Sequence, residues 1–137
     1  MRIPRLFVRS AFAGAALVLA GEAALAIDLN GLWSSDASAC DRIFEKKGNS
    51  IAFRQDSDMF GSGFIVDGRR LRGSTTSCNI TTRKEVDNVI HMIAACATDI
   101  MYSNMQFSVR VLDDNRVARI FPGIDAMELT YYRCPSH

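Results

Sequence analysis

Four cysteines, at positions 40, 78, 96 and 134, constrain the fold of this chain more than any other feature of its sequence. An even number of cysteines in a small exported domain usually forms disulfides, and four residues allow three pairings. No Cys-x-x-Cys pair and no zinc-ligand spacing occurs, so disulfides are favoured over a metal or redox site. The cysteines therefore predict a small domain that is covalently cross-linked across most of its length.

The sequence around two of the cysteines favours one of the three pairings. Residues 77–84 and 88–97 are predicted to be strands on either side of a polar turn, and a turn centred on Asp87 places Cys78 opposite Cys96. Cys40 then remains to pair with Cys134, which would join the beginning of the domain to its end. The same register also sets Ile80 opposite Ala94 and Thr82 opposite Met92.

The N-terminal segment has the pattern of a signal peptide. Three arginines, at positions 2, 5 and 9, precede an apolar run at 11–20 and a small-residue stretch that ends at Ala26. The run is shorter than the roughly 20 apolar residues that a membrane-spanning helix needs, although a retained anchor is the alternative. We expect residues 1–26 to be cleaved. Residues 27–137 would form a single soluble domain in the periplasm or outside the cell.

Net charge gives no support for a nucleic-acid or membrane-surface role. Removing the three arginines and one glutamate of residues 1–26 from 16 basic and 15 acidic side chains leaves 13 and 14, a charge of about −1. Binding to a polyanion generally requires a clear basic excess. We therefore expect no nucleic-acid partner and no stable membrane span.

The remaining pattern is mainly that of β-structure. Apolar residues alternate with polar ones in about eight short segments with tight connections, which predicts an antiparallel meander that closes into a small barrel. An open sheet covered by a helix is the alternative. One short helix is expected at 37–47, after the first strand, with Gly48 as its terminator. The Asp67-Gly68 pair predicts a tight turn that sets Val66 opposite Arg69 and Phe64 opposite Leu71.

The triplet Gly31-Leu32-Trp33 on the first strand resembles the Gly-x-Trp signature of lipocalin-like, calycin-type barrels. The resemblance implies that an arginine near the end of the barrel stacks on the tryptophan, a role that Arg133 matches. Thr98-Asp99 is similar to the start of the second motif of that family, but Ile100 replaces its aromatic residue. This chain also places its helix after the tryptophan strand and not before it. Small periplasmic inhibitor barrels are similar in size and compartment.

The sequence contains no set of residues that would form an active site. Its two histidines, His91 and His137, are not accompanied by a nucleophile motif or by metal-ligand spacing. We therefore expect no catalytic residues, no metal and no cofactor. Arg70 and Arg72, next to Arg69, form the one local basic cluster, which predicts either an anion-binding patch or an ordinary solvated strand face.

These features predict a non-enzymatic exported binding module, either an inhibitor of another exported protein or an envelope interaction domain. Its contact surfaces are expected in the loops at 56–61 and 97–104. The alternative is a carrier of a small apolar ligand, unless side chains fill the interior completely. The partner is then an exported protein or a small apolar molecule, and we expect a monomer. Four aromatic residues are expected to line such a cavity: Trp33, Phe53, Phe64 and Phe107.

Overall fold

A computed structural model describes residues 27–124 and 126–136, so the predicted signal peptide lies outside the described residues. Ten strands account for most of this part of the chain. Their bounds are β1 Gly31–Ser34, β2 Phe44–Lys47, β3 Ser50–Phe53, β4 Gly63–Asp67, β5 Arg70–Arg72, β6 Ser77–Val86, β7 Val89–Ala97, β8 Tyr102–Asp113, β9 Arg116–Ile120 and β10 Glu128–Cys134. The helical segments are a 3₁₀ turn at Ala37–Ala39, the helix α1 at Cys40–Ile43, and a second 3₁₀ turn at Ser57–Phe60.

Eight of the strands form a closed antiparallel barrel in the order β1-β10-β9-β8-β7-β6-β5-β4. The prediction of a closed barrel is confirmed, and the open-sheet alternative is wrong. Strand β1 closes the barrel because it pairs with β10 on one side and with β4 on the other. No barrel strand of the described chain is therefore left with an unpaired edge, which removes the aggregation hazard of an open sheet.

The predicted helix at 37–47 is too long. Only residues 37–43 are helical, and the chain then becomes the β2–β3 hairpin, in which Phe44 pairs with Phe53. The two rings lie 5.1 Å apart between centroids, and Gly48 is a turn residue of the hairpin with φ of +62°. The spacing of Cys40, Ile43 and Phe44 fits one helical turn, but packing of Phe44 against Phe53 makes the next residues extended. None of the described helices is long and apolar enough to cross a bilayer.

Apolar side chains form two clusters on opposite sides of the barrel wall. The inner cluster includes Trp33, Val66, Ile90 and Val117. The outer cluster packs α1 and the β2–β3 hairpin against β1 and β4 through residues such as Ile43 and Ile65. The insertion between β1 and β4 therefore packs as a second layer against the outside of the barrel wall.

Both predicted disulfides are confirmed. Cys78 and Cys96 are directly opposite each other on β6 and β7, with Cα atoms 4.0 Å apart. Cys40 is bonded to Cys134, with a Cα–Cα distance of 5.7 Å, and ties α1 to the end of β10. One bridge therefore lies inside the barrel and the other belongs to the outer layer.

In two hairpins, β6–β7 and β4–β5, some residue pairs differ from the predicted ones. A bulge between Ile80 and Thr82 pairs Thr82 with Ile93, and not with Met92, while Ile80 faces Ala94 as predicted. The bulge is supported by the Thr81 hydroxyl, which donates to the Ile93 carbonyl over 3.1 Å.

At the β4–β5 turn, the predicted pairs of Val66 with Arg69 and of Phe64 with Leu71 are wrong. Val66 pairs with Leu71, and Asp67 remains in the strand opposite Arg70. The two turn residues are therefore Gly68 and Arg69. Gly68 has φ of +58°, a conformation that glycine adopts without steric cost, so the turn begins one residue later than the Asp-Gly pair suggested.

Candidate functional site

One end of the barrel is closed by Trp33 and Arg133. Trp33 is 1% exposed, and its indole nitrogen donates to the Leu29 carbonyl over 2.9 Å. The guanidinium carbon of Arg133 lies 4.3 Å from the centroid of the Trp33 ring. Gly31 has φ of +135°, and a Cβ at that position would lie 2.9 Å from a guanidinium nitrogen of Arg133. The Gly31-Leu32-Trp33 triplet is thus explained by the close approach of Arg133.

The opposite end of the barrel opens into a cavity of about 500 Å³. This volume lies in the range of roughly 300–1,000 Å³ that is typical of small-molecule sites. Four connections surround the opening, and their described residues are 35–62, 73–76, 98–101, 121–124 and 126–127. Most of the deep wall is apolar and belongs to the inner cluster: Leu29, Val66, Leu71, Cys78, Met92, Val109 and Tyr131. The interior of the barrel is therefore not completely filled by its own side chains.

Of the four aromatic residues predicted to line a cavity, three line the open cavity and one does not. Phe64 and Phe107 line the wall, and Phe53 reaches the cavity from the outer layer. Trp33 is not part of the lining. It stacks on Phe64 with ring centroids 6.0 Å apart and forms the floor beneath it. The prediction that Trp33 lines the cavity is therefore wrong, because its ring is covered by Phe64.

A second depression of about 530 Å³ lies at the closed end, on the other side of Trp33. Its rim is polar and includes Asp113, Asp114 and Asn115 from the β8–β9 turn. Arg133 also lines it, but this side chain donates to the carbonyls of Asp114, Asp28 and Asn30. The guanidinium of Arg133 is already used in these hydrogen bonds and is not available to a ligand. The open cavity is therefore the better candidate site.

Exposed apolar side chains cluster at the open end. Two stretches predicted as contact surfaces contribute to this cluster, although the second is shorter than expected because β7 ends at Ala97 and β8 begins at Tyr102. Ile100 is 93% exposed, Met59 is 78% exposed and Tyr102 is 73% exposed. We call the following set the apolar rim: Met59, Phe60, Ile100, Met101, Tyr102, Ile124 and Met127.

Comparison with known proteins does not assign the chain to a family. No protein-family model, curated protein or solved structure matches it. The lipocalin-like resemblance of Gly31, Trp33 and Arg133 therefore stays a prediction.

Arg70 and Arg72 are not equivalent members of a basic patch. Arg70 is exposed on the outer face of β5. Arg72 is partly buried under β3, where its Nη2 donates to the Ile51 carbonyl over 3.0 Å and its Nε is buried without a hydrogen-bond partner. The guanidinium of Arg72 is therefore held by the outer layer, which leaves Arg70 as the accessible cation of the pair.

His91 lies on the outer face of the barrel, away from the cavity. Its Nδ1 is 2.8 Å from the hydroxyl of the buried Ser108, across the β7–β8 pair. In the part of the chain that the structure describes, no hydrogen bond to a carboxylate orients this histidine, and no group of three or more metal-ligating side chains occurs. The pair is a cross-strand hydrogen bond on the barrel wall.

Two aspartates have perturbed acidity, and both lie outside the cavity. The Ser38 hydroxyl and backbone N–H donate to Asp36, which lowers the pKa of its carboxyl. The Arg116 side chain and the Asn115 N–H donate to Asp113 and lower the pKa of that carboxyl in the same way. These shifts belong to a helix cap and a turn, where Asp is favoured for structural reasons.

Arg119 lines the open cavity and is not among the site residues predicted from the sequence. It stands at an inward position of β9, two residues after the buried Val117. The signal that could have identified it is a single arginine that occupies an apolar position of an alternating strand.

Proposed function

We propose that this protein is an exported, non-enzymatic carrier of a small amphiphilic molecule, and that the open cavity is its binding site. The observation that carries the proposal is the cavity of about 500 Å³ with a largely apolar wall. A wall of this kind binds a ligand mainly by removing the ligand's apolar surface from water. Export is supported by the two disulfides and by the predicted signal peptide.

The lipocalin-like resemblance is part of this proposal. It is supported by the contacts between Gly31, Trp33 and Arg133 at the closed end, which give a physical reason for each residue of the signature. Because Trp33 and Arg133 close one end of the barrel, a ligand would enter the cavity only from the other end, where the loops lie.

The carrier function is tested by titrating the protein with decanol and other apolar probes while following heat release and the fluorescence of Trp33, the single tryptophan. Trp33 stacks on the cavity residue Phe64, so binding is expected to change its emission. Saturable binding supports the proposal. Its absence with every probe would contradict it.

A blocking variant tests whether the binding occurs inside the cavity. Val109→Phe adds volume at a buried wall position, whereas Val86→Phe adds the same volume at an exposed strand end. We expect the first change to weaken binding by roughly tenfold or more and the second to have no effect. A third variant, Thr75→Phe, adds a ring to an exposed loop and thereby narrows the opening of the cavity. It provides the same test if Val109→Phe does not fold.

The apolar rim supports a second candidate function, the binding of another exported protein. An exposed apolar patch on a small domain commonly marks a protein-contact surface, and the residues of the apolar rim share one end of the barrel. An inhibitor or an envelope interaction domain would use this surface, whereas a carrier would use the cavity behind it.

The two functions are separated by a double change in the rim. Ile100→Ser with Met101→Ser removes two exposed apolar side chains at the open end, and Val86→Ser with Leu112→Ser does so at the other end. We expect a specific envelope protein to be retained by the wild type and by the second variant but lost by the first. Equal retention by all three proteins would contradict the rim as the contact surface.

A further inference from the structure

Arg119 is a cation that faces the interior of the barrel. On β9 it pairs with Val109 of β8 and with Leu129 of β10, so its side chain shares the inner face with Val109. The residue two positions earlier, Val117, is 1% exposed within the inner cluster. Arg119 itself is partly buried and lies close to the open end, because β9 ends at Ile120.

The guanidinium of Arg119 is held by aromatic rings, and it donates to no hydrogen-bond acceptor among the residues that the structure describes. Its central carbon lies 4.9 Å from the ring centroid of Phe107 and 4.9 Å from that of Phe121. Contacts of this kind fix the position of the group but leave its five N–H donors free to bind oxygen atoms. No carboxylate of the described residues forms an ion pair with it.

This arrangement differs from that of the other arginines whose polar contacts are seen. Six of them donate to a carbonyl or a carboxylate: Arg54, Arg72, Arg83, Arg110, Arg116 and Arg133. Arg119 is therefore a positioned cation whose donors are not used by any described residue, and it lies in the upper wall of an apolar cavity. The other charged residue of the lining, Asp58, belongs to the exposed 3₁₀ turn at the opening, where water screens its charge.

We propose that Arg119 binds the carboxylate of an amphiphile whose apolar tail occupies the open cavity. The proposal rests on the carrier function and names the class of its ligand. A planar guanidinium matches a carboxylate through two parallel hydrogen bonds, and the surroundings of low polarity strengthen such a pair. The tail then extends from Arg119 toward Leu71 and Met92, and Phe64 and Trp33 close the lower end.

The test uses three probes with the same alkyl chain and different head groups: decanoate, decanol and decyltrimethylammonium. Binding to the wild-type protein is measured by calorimetry below the concentration at which the probes aggregate. We expect decanoate to bind roughly tenfold or more tightly than decanol, which corresponds to one charge-assisted contact. Decyltrimethylammonium is expected to bind most weakly, because it places a cation beside Arg119.

Two variants test whether the preference for decanoate over decanol depends on Arg119. In Arg119→Met we expect decanoate to lose its advantage while decanol binds as before, and in Arg119→Lys we expect part of the advantage to remain. Arg70→Met, on the exposed outer face of β5, is the matched control and is expected to keep the wild-type preference. Circular dichroism verifies that each variant is folded, and the comparison of the three probes on the wild type needs no variant.

The outcomes separate this proposal from the carrier function. Saturable binding of decanol and decanoate with equal affinity would overturn the role of Arg119 and leave the carrier function in place. A preference for decanoate that persists in Arg119→Met would also overturn it. Failure of all three probes to bind the wild type would overturn the carrier function itself.

Discussion

Arg133 and Trp33, which are 100 positions apart in the sequence, form a single closure at one end of the barrel, with the guanidinium carbon 4.3 Å from the indole centroid. The Nε of Arg133 donates to the Asp114 carbonyl over 2.9 Å, and its Nη2 donates to the Asp28 carbonyl over 3.2 Å. The side chain thus joins β10 to the β8–β9 turn and to the segment before β1.

We expect Arg133→Leu to lower the free energy of unfolding by about 2–4 kcal/mol, because it removes both the cation–π contact and charge-assisted hydrogen bonds. Arg133→Lys should recover only part of the loss, since an ammonium lacks the planar fork. Urea unfolding measures both effects, with the exposed Arg70→Leu as control. Equal stability of Arg133→Leu and Arg70→Leu would contradict the structural role.

Gly63 is expected to tolerate no side chain. A Cβ there would lie 2.9 Å from the Trp33 carbonyl oxygen and 3.0 Å from the Phe44 ring, whereas a Cβ at Gly73 would meet its nearest neighbour at 3.9 Å. We expect Gly63→Ala to destabilise the protein by about 1–3 kcal/mol and Gly73→Ala to change stability little. Thermal unfolding of the two variants provides the comparison. A Gly63→Ala protein as stable as Gly73→Ala would show that β1 and β4 are not in close contact.

The two disulfides are expected to contribute unequally to stability. Cys40–Cys134 spans 94 positions and Cys78–Cys96 spans 18. In the chain-entropy model the longer loop contributes about 4–5 kcal/mol and the shorter about 3. Unfolding of the double Cys→Ala variant of each pair measures this difference. A larger loss on removal of Cys78–Cys96 would mean that its packing inside the barrel outweighs loop entropy.

Arg70 and Arg72 should respond differently to substitution by serine. Arg72→Ser removes the hydrogen bond to the Ile51 carbonyl, so we expect the β2–β3 hairpin to become less protected from amide exchange. Arg70→Ser should leave that protection unchanged. If the pair forms an anion-binding patch, heparin affinity will fall in Arg70→Ser. Unchanged affinity would dismiss the patch and leave an ordinary solvated strand face.

Acid should weaken the fold in part through Asp36 and Asp113. The hydrogen bonds from Ser38 and Arg116 place the folded-state pKa of these carboxyls below the unfolded value. Their contribution is therefore complete above the unfolded pKa, near 4, and is lost as pH falls through the lower folded value. Asp113→Asn should narrow the stability difference between pH 7 and about pH 2. NMR titration of both carboxyls checks the direction of the shift, and an ordinary Asp pKa would contradict it.

The sequence by itself determined the covalent framework and the class of fold. Alternation of apolar residues fixed the strands, and the spacing of Cys78 and Cys96 around one turn fixed their pairing, because both depend on contacts between neighbouring segments. Local pattern does not predict residues 44–47 correctly, because the apolar spacing of a single helical turn precedes a strand there and not a longer helix. Nor does it predict the partner of Thr82, because the bulge before Thr82 adds one residue without changing the alternation of apolar and polar residues.

Tertiary structure alone decided the features from which a function is proposed. Whether eight strands enclose a cavity or a filled core depends on the volumes of side chains that meet across the barrel from distant positions, such as Leu71, Val109 and Tyr131. The environment of Arg119 likewise depends on Phe107 of the adjacent strand β8, on Phe121 directly after β9, and on the lack of an ion-pair partner among the described residues. Local pattern predicts which way a side chain points. Only the closed barrel determines what it meets there, because cavity volume and charge pairing are properties of the whole enclosure.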